Sequence, residues 1–431
     1  MKRRPLAAIL TLGCKLNLAD SEEIGRGLRA VGYDVVDRMC DADAYVVNTC
    51  SVTHVADQKS RRLIRSVRRT SPHAAVAVTG CYPRTSPEGF IQQELGADLV
   101  AGTGDRDKER LVAFFAERLA AKTDERPPAH PAALHTRRFV KAQEGCNDVC
   151  AFCIVPRTRG RERSRSVARV VAEVDAAVNE GAREVVITGT QLGAWGRDLT
   201  PALLPSDLIA GILEQTEVTR LRFSSLQPQD ITPELLALWQ DPRVMPHFHL
   251  ALQSGSEATL SRMRRRYTAA EFLDAAARIR AAVTDVAITT DVIAAFPGES
   301  ETEFQQTLDL CREVGFARVH AFPYSPRART AAAGMDGQLP PEVRKERMRR
   351  LLTLGETLAA EFRRRFAGTT RPVLWEGERT IDGERYWHGH TDNYISAFTQ
   401  TTEDLQNRII PARLGGLLHD GVTADVIGET I

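Results

Sequence analysis

The sequence lacks several features, and each absence excludes a class of protein. No apolar run in its 431 residues approaches the ~18 that a membrane-spanning helix needs. The 57 Lys and Arg residues are balanced by 56 Asp and Glu, so the net charge is only +1. The chain as a whole is therefore not a polycation, and any contact with nucleic acid must come from local basic patches. The sequence also has no repeats, no low-complexity tract and no evident Ser/His/Asp arrangement.

Cysteine is scarce as well. Eight cysteines are too few for a disulfide scaffold in a chain of this length. Their clustering favours metal binding in a reducing compartment, so we expect a cytoplasmic protein. One alternative concerns the N-terminus, where basic residues 2–4 and the apolar stretch 6–12 resemble a short leader. The polar helical pattern that follows favours a folded domain instead.

Residues 1–121 alternate between apolar runs and helical patterns. The strand candidates are residues 6–13, 33–36, 44–49, 75–80 and 97–101. The helix candidates are residues 20–31, 57–70 and 108–121. This alternation predicts a parallel α/β domain. Residues 122–136 contain three prolines and no apolar periodicity, which predicts a linker.

Residues 137–367 repeat the alternation with longer helices. The strand candidates are residues 139–144, 184–189, 220–225, 247–253, 286–296 and 318–324. The helix candidates are residues 167–180, 206–216, 233–240, 268–283, 301–315 and the long 341–367. About six strand–helix units are too few for an eight-fold barrel, so we predict an open, partial (β/α)6 barrel. Residues 368–431 hold short β-rich runs, which predict a small all-β barrel.

Cys146, Cys150 and Cys153, here called the barrel triad, form a C-x3-C-x2-C pattern after the first predicted barrel strand. Three thiolates in one loop can hold a 4Fe–4S cluster, which normally takes four cysteine ligands. No fourth cysteine lies nearby, so one iron would stay open. Active sites of such barrels lie at the carboxyl ends of the strands, where this loop falls. A structural zinc site is the alternative, although the second cysteine pair typical of zinc sites is missing.

Cys14, Cys50 and Cys81, here called the N-terminal triad, each follow a predicted parallel strand. Ligand sites in open α/β sheets lie beyond the carboxyl ends of the strands, so the three thiols can converge on one site. They would then hold a second, auxiliary 4Fe–4S cluster with one open iron. The alternative is three separate buried thiols, which are common for cysteine.

Other strand ends offer weaker candidates for binding a cofactor. Thr188 and Gln191 fall in a glycine-containing turn that could approach a nucleotide-like ligand or could be an ordinary turn. Gln253 and Ser254 could hydrogen-bond a ribose, or the segment could simply begin the next helix. Phe152, inside the barrel-triad loop, is the remaining candidate.

Arginine is concentrated near both triads. The candidates for RNA contact are Arg61, Arg62, Arg159, Arg161, Arg163 and Arg165. Such runs are usually solvated surface, but their position suits a phosphate-rich substrate. Residues 369–431 carry five Lys/Arg against ten Asp/Glu, which weighs against electrostatic RNA binding there. Tyr394 of this segment could stack on a base or could belong to the core.

Together these motifs resemble one family over nearly the whole chain. The C-x3-C-x2-C loop on a partial barrel is similar to the radical S-adenosylmethionine (SAM) superfamily. The domain before it resembles the methylthiotransferase N-terminal domain, and the stretch ending GHTDNYISAF resembles the RNA-binding TRAM β-barrel. This order is specific to methylthiotransferases. The motifs at Thr11–Glu22, Asn48–Arg62 and Gln143–Arg165 are similar to the branch that modifies threonylcarbamoyladenosine in tRNA.

The resemblance implies two 4Fe–4S clusters and SAM as cofactors. The barrel triad would hold the cluster that binds SAM, and one electron would cleave SAM to a 5′-deoxyadenosyl radical. The radical would take hydrogen from C2 of the modified adenosine beside the tRNA anticodon. The N-terminal triad would hold the cluster that delivers a methylthio group, methylated by a second SAM. The implied partners are tRNA, a one-electron reductant and a sulfur donor, and a monomer is expected.

The sequence departs from the family pattern at two places. Ala295 stands where the family often has glycine before Phe-Pro-Gly-Glu, and Arg157-Thr158 replaces a more usual Tyr-Ala. Neither change removes a cluster ligand, so both bear on substrate fit. The alternatives are the same chemistry on isopentenyladenosine in tRNA or on ribosomal protein S12, a non-catalytic iron–sulfur RNA-binding protein, and a zinc-binding thiol-redox protein. Product analysis separates the first three, and metal analysis identifies the last.

Overall fold

A computed structural model describes residues 4–120 and 136–430. The predicted linker, apart from its final residue, and the first three residues of the possible leader lie outside the described residues. Within the two described ranges, every helix is too short or too polar to span a lipid bilayer.

The N-terminal unit is a parallel α/β sheet. Its strands are β1 (Leu6–Thr11), β2 (Asp34–Val36), β3 (Ala44–Thr49), β4 (Ala75–Gly80) and β5 (Leu99–Val100). Its helices are α1 (Lys15–Ala30), α2 (His54–Thr70), α3 (Phe90–Gln93) and α4 (Asp105–Ala120). The strand order is β2-β1-β3-β4-β5, with every pair parallel. β3 is buried throughout because helices cover both faces of the sheet, which confirms the predicted class.

All three predicted helices of this unit begin earlier than their sequence patterns predicted, and α4 begins at residue 105 rather than 108. α1 begins at residue 15 rather than 20, because the Cys14 carbonyl accepts hydrogen bonds from the N–H groups of Asn17 and Leu18. α2 begins at residue 54 rather than 57, because the Thr53 hydroxyl caps the N–H of Ala56 at 3.1 Å. α1 and α2 therefore start close behind a cysteine of the N-terminal triad.

The central unit is a partial barrel. In chain order its strands are β6 (Arg137–Lys141), β7 (Gln143–Glu144), β8 (Arg163–Ser164), β9 (Glu184–Thr188), β10 (Leu221–Phe223), β11 (His247–His249), β12 (Ala287–Ala294) and β13 (Arg318–Pro323). Its helices are α5 (Val155–Thr158), α6 (Val167–Asn179), α7 (Pro205–Gln215), α8 (Pro233–Ala237), α9 (Glu257–Arg262), α10 (Ala269–Ala282), α11 (Glu301–Val314) and α12 (Pro341–Arg364). β7 and β8 pair with each other, which leaves six parallel barrel strands.

The six strands form an open wall, as the sequence predicted. Parallel bridges join β6-β9-β10 to β11-β12-β13, and no pairing between described residues closes β13 onto β6. α1 covers the free edge of β6. The carboxylate of Glu22 accepts the N–H of Phe139 at 3.2 Å, and Asp20 pairs with Lys141 at 2.7 Å. These contacts satisfy an edge that would otherwise present unpaired backbone groups.

The C-terminal unit is a closed five-stranded barrel, which confirms the predicted all-β fold. Its strands are β14 (Thr370–Ile381), β15 (Glu384–Thr391), β16 (Ser396–Thr399), β17 (Ile409–Leu418) and β18 (Gly421–Val426). They follow the order β14-β15-β16-β18-β17, and β17 pairs with β14 to close the ring. The likeness of this barrel to the TRAM domain stays a prediction.

Buried charges hold this barrel to the amino ends of the central strands. The Glu184 carboxylate, at the start of β9, is fully buried, with Arg222 Nε at 2.8 Å and Arg220 Nη2 at 3.0 Å. Both arginines also donate to the Thr391 carbonyl oxygen at 2.9 Å. Burial raises the pKa of Glu184, but the guanidinium groups of Arg222, Arg220 and Arg137 outweigh burial and lower the pKa to about 2. The carboxylate is therefore charged at neutral pH.

Candidate active site

The N-terminal triad lies at the carboxyl edge of the parallel sheet. Cys50 directly follows β3, Cys81 directly follows β4, and Cys14 lies in the turn between β1 and α1. Cys50 and Cys81 are each within electrostatic reach of Cys14. All three thiols are free. The structure therefore brings together three sulfur atoms that are far apart in sequence.

Gly13 allows this convergence. Its φ of +110° lies in the region that favours glycine. A Cβ at this position would lie 2.9 Å from the Cβ of Cys50 and 3.1 Å from its sulfur. A larger residue would therefore push the turn that carries Cys14 away from Cys50.

The loop that carries the barrel triad is anchored by Gln143. Its Nε2 donates to the Gly145 carbonyl oxygen at 2.8 Å. Its Oε1 accepts from the N–H groups of Thr190 at 2.9 Å and Gln191 at 3.0 Å. One fully buried side chain thus ties the start of the loop to the turn after β9.

Two barrel-triad sulfur atoms accept hydrogen bonds. Arg265 Nη1 lies 3.3 Å from Cys150 Sγ, and the N–H of Asp148 lies 3.4 Å from Cys146 Sγ. Arg265 also donates to the hydroxyl of Tyr267 at 3.1 Å, which fixes the guanidinium. Donors placed at sulfur favour the thiolate, which is the form that binds metal.

The chemistry of both donor sets fits iron–sulfur clusters. Each triad presents three free thiols, and soft thiolates are the usual ligands of these clusters. Burial raises the pKa of Cys50 and Cys146 to about 11 and that of Cys153 to about 12. Metal binding would therefore release protons. In the described part of the chain, no three His, Cys, Asp or Glu side chains are arranged around a single metal ion.

Arg159 joins the two triads. It follows α5, the short helix behind Cys153, and its guanidinium and the Thr158 hydroxyl both lie beside the Cys81 thiol. The same guanidinium donates to Glu144 at 2.7 Å and to Asp20 at 3.1 Å. The Arg159 side chain is only 2% exposed. The N-terminal sheet and the barrel thus meet at this arginine with their cysteine sites next to each other.

Arg327 makes a second contact between the same two units. It follows β13 and donates to Asp57 Oδ2 at 2.7 Å and to the Ser51 hydroxyl at 2.9 Å. Ser51 is the residue after Cys50. The N-terminal triad is therefore held against the carboxyl end of the barrel from two sides.

Comparison with known proteins identifies the family. Residues 7–102 match the family described as Uncharacterized protein family UPF0004, and residues 140–311 match the Radical SAM superfamily. The chain is 36% identical to threonylcarbamoyladenosine tRNA methylthiotransferase MtaB of Bacillus subtilis, over 94% of this chain and 93% of that relative. The chain belongs to the radical SAM methylthiotransferase family. It is an enzyme of this kind, and the resemblance drawn from its motifs is confirmed.

Sequence identity does not separate the branches of the methylthiotransferases. The chain is also 37% identical to the tRNA-2-methylthio-N(6)-dimethylallyladenosine synthase of Thermobifida fusca, over 90% of this chain and 82% of that relative.

Among solved structures, the radical S-adenosylmethionine methyltransferase TsrM of Kitasatospora setae matches with a TM-score of 0.54 and 14% identity, covering 77% of each chain. That likeness shows a shared fold.

Four predicted cofactor-binding residues lie at the carboxyl end of the methylthiotransferase barrel. Phe152 packs edge-on against Phe296 with ring centroids 6.4 Å apart, beside the barrel triad. Thr188 ends β9, Gln191 lies in the turn after it, and Gln253 follows β11 with a φ of +64°. Their contact with a cofactor stays a prediction.

The prediction for Ser254 is wrong. Its hydroxyl lies 3.1 Å from the hydroxyl of Thr307 on α11, and the residue is fully buried. The left-handed backbone of Gln253 rotates the next side chain toward the outer helix layer. Ser254 therefore fastens α11 to the barrel wall instead of facing a ligand.

Two of the predicted RNA-binding arginines are also corrected. Arg159 is buried between carboxylates, as described above. Arg165 is equally buried and pairs with Glu173 at 2.9 Å, Asp105 at 3.1 Å and Glu23. Both belong to the interface between α1, α4 and the barrel, where acidic side chains neutralise them. The other four candidates, which keep accessible surface, are Arg61, Arg62, Arg161 and Arg163.

Tyr394 does not have the role that its sequence position suggested. Its ring stacks on His247 at 4.5 Å and on His390 at 5.0 Å, and the guanidinium of Arg222 lies 4.8 Å from its centre. Its hydroxyl accepts a hydrogen bond from Arg137 at 3.2 Å. The ring is therefore an interdomain contact at the floor of the central barrel, where its stacking partners are protein side chains.

Sequence reasoning missed several charged residues at this end of the barrel, of which Arg327 and Asp230 are buried and Arg265 is half-buried. Arg265 sits in an arginine run that resembles solvated surface. Arg327 and Asp230 lie in loops without a recognisable motif. Burial raises the pKa of Asp230 to about 6, and its Oδ2 accepts the N–H of Gln227 at 2.9 Å. No periodicity marks these positions, and the partners of Arg265 and Arg327, which are Cys150 and Asp57, lie more than 100 residues away in sequence.

Three residues that follow strands at the same end have a left-handed backbone. Ser225, Gln253 and Ala295, which follow β10, β11 and β12, have φ values of +59°, +64° and +62°. Such conformations persist at functional sites when the surroundings enforce them. At Ala295 the enforcing contact is a hydrogen bond from its N–H to Glu299 Oε2 at 2.8 Å, and Arg347 pairs with the same oxygen at 2.7 Å.

We expect Ala295→Gly to stabilise the protein. A left-handed backbone costs an L-residue ~1–2 kcal/mol, and the greater freedom of glycine in the unfolded chain offsets ~0.5–1 kcal/mol of the gain. The expected increase in the free energy of unfolding is about 0.5–1 kcal/mol, measured by urea denaturation. The control is Ala294→Gly in β12, which should destabilise. Equal destabilisation by both changes would show that Ala295 carries no such strain.

Proposed function

We propose that this enzyme methylthiolates C2 of N6-threonylcarbamoyladenosine at position 37 of tRNA. It would use two SAM molecules and two 4Fe–4S clusters, one on each cysteine triad. The proposal also takes the enzyme to be a cytoplasmic monomer that receives electrons from a one-electron reductant and sulfur from a donor. The second candidate substrate is dimethylallyladenosine in tRNA, called isopentenyladenosine above. A relative named for it is 37% identical to this chain, against 36% for the relative named for threonylcarbamoyladenosine.

The observation that carries the proposal is the adjacency of the two triads. Arg159 and Thr158, directly behind the barrel triad, lie beside the thiol of Cys81 in the N-terminal triad. A carbon radical formed at one site and a sulfur delivered from another must meet at one substrate atom, so the two sites must share a cavity. A single cluster with a distant, unrelated thiol set would have no need for this contact.

When bound, the clusters and SAM supply the radical cleavage of a C–H bond and the sulfur, which protein side chains alone do not provide. The residues of this chain hold and orient these groups. Arg265 and the N–H of Asp148 stabilise negative charge on the barrel-triad sulfur atoms. Gln143 fixes the loop that carries them, and Arg159 sets the separation of the triads.

The surface that best suits the RNA backbone lies on α2, directly after Cys50. A groove of about 940 Å³ runs between α2 and the residues that follow α3. The arginines that line it are Arg61, Arg62, Arg65, Arg68 and Arg69. Only Arg68 has a carboxylate partner among the described residues, Asp98 at 2.7 Å. An excess of unpaired arginine beside the N-terminal triad suits phosphates better than a protein core.

The exposed Arg62, Arg65 and Arg69 provide a quantitative test of this surface. Each phosphate contact contributes ~0.7–0.9 to the slope of log affinity against log salt. Changing the three arginines to glutamine should reduce this slope by about 2–3, measured with full-length tRNA. The matched control removes three exposed charges from α12: Lys345, Arg349 and Arg364. Equal slopes for the two triple variants would contradict binding at the α2 groove.

Nucleoside mass spectrometry tests the proposed function itself. We expect cells without the gene to lose the 2-methylthio form of threonylcarbamoyladenosine and to regain it on complementation. Loss of the dimethylallyl form alone would keep the chemistry and reject the substrate. If neither form changes, ribosomal protein S12 would be examined, and an unmodified S12 would leave the non-catalytic alternative.

A further inference from the structure

The interior of the central barrel is lined with polar rings and charges. Arg222 lies on β10, His247 and His249 on β11, Asp291 on β12 and His320 on β13. His249 Nε2 lies 3.2 Å from Asp291 Oδ2, and the His249 and His320 rings are 5.8 Å apart. The Asp291 side chain is still 33% exposed, so solvent reaches this interior. It is therefore an accessible space with a polar lining.

Lys15 projects into this space from the first turn of α1. Four ionisable groups lie within its electrostatic reach. Tyr394 comes from the floor, and Arg137, Arg222 and Asp291 come from three different strands. Burial lowers the pKa of His247 and His320, and the positive charge of Lys15 lowers both further. Lys15 directly follows Cys14, so this residue lies next to the N-terminal triad.

The ammonium group of Lys15 has no partner of its own. Within the described chain it makes no hydrogen bond and no ion pair, whereas the neighbouring cations are engaged: Arg137 with Glu376 at 3.1 Å and Arg222 with Glu184 at 2.8 Å. Asp291 is the carboxylate within electrostatic reach of Lys15, and it is already hydrogen-bonded to His249. A half-buried ammonium group with no ion-pair partner is complementary to an anion.

We propose that Lys15 binds the carboxylate of the substituent on the substrate adenine and thereby selects its class. The inference rests on the proposed function and deepens it. A threonylcarbamoyl group carries a carboxylate, whereas a dimethylallyl group is apolar and leaves the ammonium unpaired. Rejecting a substrate that leaves a buried polar group unpaired is an effective source of specificity. Burial lowers the pKa of His247 and His320, so these two imidazoles add hydrogen-bond partners without adding positive charge beside Lys15.

The test compares two synthetic anticodon stem-loops, one with threonylcarbamoyladenosine and one in which its carboxylate is converted to the amide. Loss of one charge-assisted hydrogen bond should lower kcat/KM of the wild-type enzyme on the amide by about 10- to 100-fold. Lys15→Met should be slow on both substrates and should show no amide penalty. Lys15→Arg should restore part of the preference for the carboxylate. Iron content of each variant shows that the neighbouring Cys14 site is intact.

Two results would overturn the inference: a wild-type enzyme indifferent to the amide, or Lys15→Met acting on the carboxylate substrate at the wild-type rate. The first result needs no variant, so it can overturn the inference even if Lys15→Met loses iron. Failure of the proposed function looks different. The wild-type enzyme would then methylthiolate neither stem-loop but would modify one that contains dimethylallyladenosine.

Discussion

Replacing Arg159 with alanine is expected to lower the free energy of unfolding by about 3 kcal/mol, because it removes one partner of a buried ion-pair network. The cost falls at the low end of the ~3–5 kcal/mol for such changes, since Lys141 still pairs with Asp20 at 2.7 Å. Glu144 loses its hydrogen bond from the guanidinium, and Cys81 loses a neighbouring positive charge. Urea denaturation measures the stability, and the product yield should fall with it because the triads lose their fixed separation.

The matched control is Arg161→Ala, in the same loop but exposed, which should change stability by no more than ~0.5 kcal/mol. Arg159→Lys keeps the charge but not the forked donor geometry, so it should fall between the two. A stable Arg159→Ala variant with full product yield would show that Arg159 does not position the triads.

Replacing Glu184 with glutamine is expected to have a similarly large effect, with a defined pH dependence. The folded protein lowers the pKa of Glu184 from 4.5 to about 2, against the opposing effect of burial. The stabilisation from the charged carboxylate is therefore complete above pH ~4.5 and is lost as the pH falls toward ~2. This lowering of the Glu184 pKa corresponds to about 3 kcal/mol of stabilisation of the folded protein at neutral pH.

The measurement is the difference in unfolding free energy between the wild type and Glu184→Gln from pH 7 down to pH 3. It should be largest and constant near neutrality and should shrink in the acid range. Glu214→Gln, which changes an exposed glutamate on α7, provides a flat baseline. A difference that is independent of pH would mean that packing, and not charge, holds the C-terminal barrel.

Local patterns were sufficient to predict the three units and the placement of six cysteines after strands, while their role as cluster ligands stays a prediction. Parallel strands buried on both faces produce apolar runs such as 44–49 and 75–80, and those runs end where the cysteines stand. The order of these elements then places the triads at the carboxyl edges of the two sheets. The convergence of Cys14 with Cys50 follows from topology and needs only the space that Gly13 leaves.

Side chains whose partners lie far along the chain could not be assigned in this way. Arg159, Arg165 and Arg265 resemble solvated charge in the sequence, yet each contacts a residue more than 100 positions away, and the first two are buried. Tyr394 resembles a stacking platform but lies under His247 of the central barrel. Charge and ring chemistry are visible in a sequence, whereas the group that neutralises or covers them is set by tertiary packing.

Iron stoichiometry after anaerobic reconstitution tests the two-cluster account most directly. The wild-type chain should bind about eight iron atoms, as two 4Fe–4S clusters require. Triple alanine variants of the N-terminal triad and of the barrel triad should each retain about four, and neither should form the methylthio product. A wild-type content below about six, or loss of all iron in both triple variants, would contradict two independent clusters.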